Sequence, residues 1–496
     1  MRPLLALLLP VALAWGGEAA ELVVLHTNDL HGQLDPLPPS PVSPVLRGKP
    51  VGGYAHIATM VRKVRRECEQ RKATFLLTDG GDLYQGTPIG NESRGAAVVE
   101  AMNLLSYDAV AVGNHEFDFG LANVERLVER ARFPFLAANM AAKRGALAKV
   151  RPYVLLSPPR TPCRIALIGL ITTTTPDITT RGLGDLVAFS DPLPVVRALL
   201  QEVEADLFIL VTHIGRDEDR ALAAAVPGID LILGGHSHTP ICEKVNGTLI
   251  VQTHSRGMSL GRADLRVDPD GWKVVAAEGQ LLPVDPTATA PDAQVGEVIA
   301  RYGKELDARL GKVVGTLAAP LRREAGLGSS TAGNWMADVI RAKGEAEIGI
   351  TNKGGIRCDL EPGAITAGDI YRLMPFENDI VSMDLTGAQI RALLARHVEN
   401  GGYPALEWSG LLVEARGSRL GEVRVGDGPL EEGRTYRVAT NSFLAAGGDG
   451  FHPFRDGRKL VRTGVFVRDA LAEALAASSP LTPPPESRFR LAVAAR

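Results

Sequence analysis

Five short apolar runs in the first half of the chain end close to polar side chains that commonly bind metal ions. The runs are residues 22–25, 74–77, 109–112, 207–211 and 229–233. Their lengths are typical of buried strands, and Asp, Asn or His follows each of them. Open α/β sheets bind ligands beyond the carboxyl ends of their strands. We therefore expect the five run ends to meet at one edge of a sheet.

The segments between these runs carry apolar residues at helical spacing. They are residues 53–71, 96–106, 123–131 and 194–204. Strands that alternate with helices predict βαβ units. Helices on both faces of a buried sheet predict a layered α/β domain, either α/β/β/α or α/β/α.

Length and local composition predict that the chain has two domains joined by a linker. A chain of 496 residues is too long for a single hydrophobic core. Residues 283–291 are rich in proline, threonine and alanine, and Asp292 can cap a helix that follows at about 293–309. We predict an α/β domain over residues 20–285, a linker with a connecting helix over 286–312, and a smaller α/β domain over 313–496.

The first 19 residues have the composition of a secretory signal peptide. Met1 and Arg2 precede an apolar stretch over residues 4–14, and small residues follow as far as Ala20. The stretch is too short to span a bilayer. We expect cleavage near Ala19 and export to the periplasm or the extracellular space. No other apolar run is long enough to cross a membrane, so stable membrane insertion is not expected.

The amino-acid composition limits the classes of partner that we expect. Apolar residues make up 45% of the chain and charged residues 22%, and the formal net charge is −3. The chain therefore lacks the excess of basic residues that would indicate a nucleic acid polymer as its partner. The composition predicts no particular oligomeric state. Exported proteins can form disulfides, but two bridges would require one to join the two domains. We expect at most one bridge among Cys68, Cys163, Cys242 and Cys358.

Seven side chains near the run ends form a candidate metal site: Asp29, His31, Asp82, Asn114, His213, His236 and His238. In an extended backbone, residues two apart point the same way, so Asp29 and His31 can meet one ion. Nitrogen and oxygen ligands without cysteine favour Zn²⁺, Mn²⁺, Fe or Co²⁺ over Ca²⁺ or Mg²⁺. Seven ligands with one shared carboxylate suit two divalent ions, which can bind a phosphate and activate water. The predicted chemistry is hydrolysis of phosphate esters.

Residues 113–118 (GNHEFD) offer a second kind of chemistry. If Asn114 is a ligand, His115 is available for another role, and Asp118 can hold its imidazole in one tautomer. A histidine oriented by a carboxylate can stabilise developing negative charge or protonate a leaving group. We predict that His115 and Asp118 form a catalytic pair.

The sequences around these side chains resemble a known family. Residues 25–32 (LHTNDLHG), 81–87 (GDLYQGT), 113–118 and 234–238 (GGHSH) are similar to the calcineurin-like metallophosphoesterases. More narrowly, they resemble the exported 5′-nucleotidase and UDP-sugar hydrolase family. The resemblance implies a four-layer α/β/β/α first domain. It also implies one ion held by Asp29, His31, Asp82 and His238, and a second held by Asp82, Asn114, His213 and His236.

The second domain carries substrate motifs of the same family. Residues 351–357 (TNKGGIR) resemble a loop whose arginine contacts substrate anions. Residues 374–376 and 441–449 resemble segments whose two aromatic rings sandwich a nucleobase, and stacking is a physically reasonable way to hold a base. The resemblance implies that a nucleotide is bound by Asn352, Arg357, Phe376, Phe443 and Asp449, the last accepting a ribose hydroxyl.

One motif departs from the family pattern. Family nucleotidases usually have an arginine a few residues before the Gly-Asn that opens the first helix of the second domain, whereas residues 328–332 here are GSSTA. Arg357 is then the main anion contact, and monophosphate specificity is in question. We expect Lys353, which replaces a glycine in the substrate loop, to compensate in part.

Three functions are compatible with the sequence. The favoured one is an exported phosphohydrolase that cleaves nucleotides, with UDP-sugars and cyclic nucleotides as further substrates. The second is a thiosulfohydrolase of bacterial sulfur oxidation, because that family has the same two-domain plan. The third is a nucleotide-binding protein without turnover, and the intact ligand set with His115 and Asp118 argues against it.

Overall fold

The computed structural model describes residues 19–491, except residues 41–42, 144–146, 162, 180–182, 325, 403 and 485–487. The predicted signal peptide therefore lies outside the described residues, apart from Ala19. Within the described part of the chain, every helix is too short or too polar to cross a membrane. Cys68, Cys163, Cys242 and Cys358 are all free thiols, which agrees with the prediction of at most one bridge.

Two six-stranded sheets form the centre of the N-terminal domain, so the expectation that all five run ends belong to one sheet is wrong. The first sheet contains, in spatial order, Lys273–Pro283, Ser259–Asp268, Ala20–Thr27, Thr74–Asp79, Ala109–Ala111 and Phe135–Leu136. The second contains Ile241–Val245, Thr248–Gln252, Leu231–Leu233, Leu207–His213, Ile165–Ile171 and Tyr153–Leu156. Three of the five predicted run ends belong to the first sheet and two to the second.

The two sheets pack face to face, which explains why strands so close in composition separate into two layers. Val24 and Leu76 of the first sheet share a buried core with Ile209 and Leu233 of the second. Each inner face is thus covered by the other sheet and each outer face by helices. The strands that carry the five run ends are mutually parallel within each sheet, so their carboxyl ends meet at one side of the sandwich.

Helices complete the four layers. The outer face of the first sheet is covered by Tyr54–Arg71, Ala96–Asn103, Leu121–Arg130 and Ala293–Leu310. The outer face of the second is covered by Pro192–Glu202 and Arg216–Ala225. This arrangement confirms the α/β/β/α prediction. Shorter elements of the domain are Pro36–Leu37, Val51–Gly52, Pro88–Glu92, Met140–Ala142, Thr175–Ile178, Leu183–Leu186 and Val187–Phe189.

The connecting helix packs on the N-terminal domain. Asp292 caps it as expected, since its Oδ1 accepts a hydrogen bond from Val295 N at 3.1 Å. Val295 and Val298 are buried against the helices that cover the first sheet. The helix Ala293–Leu310 is therefore an integral part of that layer rather than a free linker.

The C-terminal part is also α/β. Its five-stranded sheet contains, in spatial order, Leu406–Ser409, Ile348–Asn352, Thr435–Asn441, Asp379–Thr386 and Arg458–Phe466. Smaller sheets contain Gly428–Pro429, Arg419–Val425, Leu411–Arg416 and Phe489–Leu491, and Val313–Leu317 with Gly363–Thr366. The longer helices are Thr331–Lys343, Ala367–Leu373, Gly387–Glu399 and Val467–Ala477, with the short Ser442–Ala445 beside them.

Candidate metal centre and substrate site

The carboxyl ends of the two sheets bring the predicted metal ligands together. One group of ligand atoms belongs to Asp29, His31, Asp82 and His238, and a second to Asp82, His213 and His236; the atoms of each group lie within 4.8 Å of one another. Asn114 joins the second group, because its Oδ1 lies 3.1 Å from His213 Nε2 and 3.0 Å from His236 Nδ1. Asp82 is common to both groups.

The backbone at most of these ligands is not extended, so the reason expected for the convergence of Asp29 with His31 is wrong. Five of the seven have left-handed backbone: φ is 51° at Asp29, 49° at His31, 56° at Asp82, 75° at His236 and 54° at His238. Such φ values are unfavourable for residues other than glycine and cluster at functional sites, where the surroundings enforce them. Turns beyond the strand ends therefore aim the side chains.

Main-chain hydrogen bonds enforce these turns. Asp29 N donates to Gly81 O at 2.9 Å, and His31 N donates to Asp82 O at 3.0 Å. Glycine permits the close approach of the loops, since a Cβ on Gly113 would collide with Asp82 Oδ1. Main-chain hydrogen bonds thus join the loop after Ala20–Thr27 to the loop after Thr74–Asp79.

Backbone carbonyls set the histidine tautomers. His31 Nδ1 lies 2.8 Å from Gln85 O, and His213 Nδ1 lies 2.6 Å from Gly80 O. Because a carbonyl oxygen only accepts, each Nδ1 carries the proton and each Nε2 presents a lone pair to the centre. His31 Nε2 lies 2.9 Å from His238 Nε2, and His213 Nε2 lies 3.2 Å from Asp82 Oδ2. The nitrogen lone pairs and the carboxylates therefore point to the same region, and such an arrangement suits bound cations.

The electrostatics agree with a cation site. Burial disfavours a charged Asp82, but His213 and His115 outweigh it and hold the pKa of this carboxyl well below its usual range. Burial lowers the pKa of His236 to about 4 and also lowers that of His31. These two imidazoles are neutral, as ligation requires. Burial opposes a charge on His213 as well, but Asp82 raises its pKa to about 10. Asp82 thus attracts positive charge, which a bound cation would supply in place of the proton on His213 Nε2.

Three further side chains support the candidate ligands. Glu116 is fully buried and accepts hydrogen bonds from Gly113 N, Asp82 N and Leu83 N at 2.7, 3.0 and 2.8 Å. Asn28 Nδ2 donates to Asp29 Oδ2 at 2.7 Å, and His26 Nε2 lies 2.9 Å from Gly234 O. All three lie next to the ligand motifs in the sequence, and this proximity is the signal by which sequence reasoning could identify them.

The predicted catalytic pair lies beside the metal ligands. His115 Nδ1 lies 2.8 Å from Asp118 Oδ2, and His115 N donates to Asp82 Oδ1 at 2.9 Å. Burial opposes a charge on the imidazole, but the carboxylates of Asp118 and Asp82 outweigh it and raise the pKa of His115. A protonated imidazole is thereby favoured next to the candidate metal centre.

Two predicted substrate residues of the C-terminal domain reach this centre. Arg357 Nη2 lies 3.4 Å from His31 Nε2, and the ring centroid of Phe376 lies 6.1 Å from that of His115. The Arg357 guanidinium carbon lies 5.8 Å from the Phe376 ring centroid. A cation and an aromatic face are therefore placed next to the candidate metal ligands and His115.

The remaining substrate residues adjoin one another. Asn352 Nδ2 donates to Asp449 Oδ2 at 3.0 Å, and Asn441, which was not predicted, donates from Nδ2 to Asn352 Oδ1 at 3.0 Å. Phe443 is half-buried and packs directly over Gly448, where a Cβ would lie 2.5 Å from its ring.

Lys353 does not have the expected role. Its Nζ donates to Gly326 O at 2.8 Å and to Glu324 O at 3.2 Å, and it also contacts Gly328 O. It lies 3.7 Å from the buried carboxylate of Glu407. The ammonium group therefore fastens the loop before Thr331–Lys343 and is not directed to a substrate anion.

Comparison with known proteins agrees with this architecture. The profile of the calcineurin-like phosphoesterases matches residues 22–240, and that of the 5′-nucleotidase C-terminal domain matches residues 313–456. The trifunctional nucleotide phosphoesterase protein YfkN of Bacillus subtilis is 32% identical over 88% of this chain, which spans 32% of YfkN.

Solved structures show the same fold over nearly the whole chain. The 5′-nucleotidase precursor from Thermus thermophilus is 30% identical, with a TM-score of 0.87 over 95% of this chain and 99% of that one. The sulfate thiohydrolase SoxB from Thermus thermophilus shares the fold at 22% identity, with a TM-score of 0.81 over 97% of this chain and 98% of that one. The chain belongs to the 5′-nucleotidase family of metal-dependent phosphoric ester hydrolases.

Proposed function

We propose that the protein is an exported, dinuclear-metal hydrolase that releases phosphate from nucleotides. The observation that carries this proposal is the position of Arg357 and Phe376 beside His31 and His115. The C-terminal domain thus presents an anion contact and a stacking face where the metal ligands converge. Such an arrangement suits a substrate that has both a phosphate and a planar base.

The roles of the side chains follow from their positions. Two divalent ions held by the seven ligands would polarise the phosphate, lower the pKa of a water molecule and offset negative charge. Arg357 binds the phosphate oxygens and orients the substrate. The raised pKa of His115 favours the imidazolium form, in which Nδ1 donates to Asp118 and Nε2 offers a proton to the leaving oxygen.

The C-terminal domain selects the organic part of the substrate. Phe376 and Phe443 offer stacking faces for a base, and Asp449 accepts a ribose hydroxyl while Asn352 orients its carboxylate. Because Lys353 is committed to the loop before Thr331–Lys343, Arg357 is the principal cation of this domain for a phosphate. We therefore expect substrates to be ranked by base and ribose contacts more than by the number of phosphates.

A thiosulfohydrolase is the second candidate. The likeness to the sulfate thiohydrolase at 22% identity concerns the fold alone. The stacking face of Phe376 and the pair formed by Asn352 and Asp449 favour a nucleoside over a small sulfur compound. UDP-sugars and cyclic nucleotides share the nucleoside part and belong to the same substrate class.

A substrate panel tests the proposal. Purified protein is loaded with Mn²⁺ or Zn²⁺ and incubated with nucleoside mono- and diphosphates, a UDP-sugar, a cyclic nucleotide and cysteine S-sulfonate. We expect product release from one or more nucleotides and none from cysteine S-sulfonate. Sulfate release from cysteine S-sulfonate without any nucleotide hydrolysis would establish the second candidate instead.

Nucleoside binding is expected to depend on the ionisation of Asp449. Burial raises the pKa of this carboxyl to about 6, although the hydrogen bond from Asn352 opposes the shift. The carboxylate is present above that pH and accepts the ribose hydroxyl, whereas protonation below it removes the acceptor. The Kd of uridine, which has no titrating phosphate, should rise about tenfold from about pH 7.5 to about pH 5. Isothermal titration calorimetry measures this change, and Asp449→Asn should bind weakly at both pH values.

Export is inferred from residues 1–19 alone. The mass of the mature protein, recovered from the medium or the periplasm, tests it. A mature chain that begins near Ala20 is expected, and an uncleaved chain retained in the cytoplasm would refute the proposed export.

A further inference from the structure

Arg256 of the N-terminal domain connects the candidate metal centre to the substrate loop of the other domain. Its backbone N donates to Asp29 O at 2.7 Å, and its Nη2 donates to Arg357 O at 2.5 Å. One residue therefore contacts the main chain of a candidate metal ligand and the main chain of the principal anion contact.

The charge of Arg256 has no ion-pair partner among the residues that the structure describes. Within the described part of the chain, no carboxylate lies within ion-pair distance of its guanidinium group. Burial and the nearby arginines 357, 323 and 372 lower the pKa of Arg256 to about 10. Holding a cation here costs free energy, so the hydrogen bond to Arg357 O is the contact that accounts for its position.

Asn91 makes an equivalent connection on the other side of the site. Its Oδ1 accepts a hydrogen bond from Gly86 N at 3.1 Å, and its Nδ2 donates to Pro375 O at 2.9 Å. Gly86 follows Gln85, whose carbonyl sets the tautomer of His31. Pro375 precedes Phe376, the candidate stacking residue. Asn91 is buried, with 4% of its surface exposed.

We propose that Arg256 and Asn91 are positioning residues that hold Arg357 and Phe376 over the metal centre during the reaction. Both donate side-chain hydrogen bonds across the domain boundary to main-chain carbonyls, so they fix the backbone that carries each substrate contact. This inference rests on the proposed function for its kinetic test. A misplacement of about 1 Å in such contacts can lower a rate by about 10²-fold.

Matched substitutions test the proposal. Arg256→Met removes the guanidinium group, and Asn91→Asp keeps the acceptor for Gly86 N but removes the donor to Pro375 O. We expect each to lower kcat for nucleotide hydrolysis by about tenfold or more. The controls break similar bonds within the N-terminal domain: Arg65→Met, since Arg65 Nη2 donates to Leu105 O at 2.6 Å, and Asn103→Asp, since Asn103 Nδ2 donates to Arg130 O at 3.0 Å.

A double-mutant cycle separates positioning from general destabilisation. If Arg256 acts through Arg357, Arg256→Met should cost much less in an Arg357→Met background than in the wild-type protein. Arg256→Lys, which retains a donor on a long side chain, should recover part of the rate. Additive losses in the cycle, or equal losses in the Arg65→Met control, would overturn the proposal.

A second readout does not depend on activity. Hydrogen–deuterium exchange should become faster in peptides covering residues 354–357 and 374–377 of Arg256→Met and Asn91→Asp, with no change in the buried strand Ile165–Ile171. Unchanged exchange in both variants would contradict the proposal. If the wild-type protein hydrolysed no nucleotide, the proposed function would fail, and the exchange result would still decide whether the two residues hold the interface.

Discussion

Replacing Asp82 by asparagine is expected to prevent the protein from binding its full complement of two metal ions and to abolish nearly all hydrolysis. Asp82 is common to both ligand groups, and its carboxylate carries charge that an amide lacks. Loss of several kcal/mol of transition-state stabilisation by the metal centre corresponds to a decrease in kcat on the order of 10³-fold or more. Metal analysis of the purified variant and phosphate release from a nucleoside monophosphate measure the two effects.

Asp108→Asn is the matched control for this substitution. Asp108 is a partly buried carboxylate next to the first sheet, where it accepts a hydrogen bond from Leu77 N at 2.8 Å, and it does not belong to either ligand group. It should retain metal content and rate. An Asp82→Asn protein with unchanged metal content and rate would show that Asp82 does not bridge the two groups.

Replacing His115 by asparagine is expected to lower kcat while metal content stays the same. The imidazole contacts Asp118 at 2.8 Å and is not a member of either ligand group. General acid catalysis typically contributes about 10²–10⁴-fold, so kcat should fall by roughly that factor. Steady-state kinetics with metal analysis of the same sample make the measurement.

Two further variants test this interpretation of His115. Asp118→Asn should have a smaller effect than His115→Asn, because it weakens the orientation and charge of the imidazole but leaves it in place. His56→Asn is the control, since His56 Nδ1 contacts Thr289 O at 2.7 Å and His56 belongs to neither ligand group. Full activity of a metal-replete His115→Asn protein would remove His115 and Asp118 from the mechanism.

Much of the candidate site could be predicted because its side chains lie in short motifs at strand ends. Asp29, His31 and Asp82 each follow an apolar run, and hydrophobic pattern alone locates such runs. The partition of those runs into two sheets was missed. Period and length are the same for a strand in either sheet, and only the folded core, in which Val24 and Ile209 come from different sheets, distinguishes the layers.

The backbone conformation at the ligands could not be predicted from the sequence either. Asp29 and His31 are two residues apart, as they would be along an extended strand, but they adopt left-handed φ. That conformation depends on hydrogen bonds to Gly81 O and Asp82 O, which are contributed by a loop distant along the chain. Local propensity does not contain such tertiary constraints.

Contacts between the domains were the least predictable feature. Lys353 lies in a substrate motif, yet its side chain fastens a neighbouring loop. Arg256 lies outside every motif considered, yet it contacts the backbone of both Asp29 and Arg357. A long flexible side chain can reach several partners, and only the folded arrangement selects one.

The central claim is that the strand-end ligands hydrolyse a nucleotide held by the C-terminal domain. Its most direct test is to measure inorganic phosphate and nucleoside released from a nucleoside 5′-monophosphate by the Mn²⁺-loaded protein, with Asp82→Asn and Phe376→Ala in parallel. We predict equal amounts of phosphate and nucleoside from the wild-type protein, almost none from Asp82→Asn, and a raised KM for Phe376→Ala. Release that is equally fast with Asp82→Asn, or no release from this or any other nucleotide of the panel by a metal-replete wild-type protein, would contradict the account.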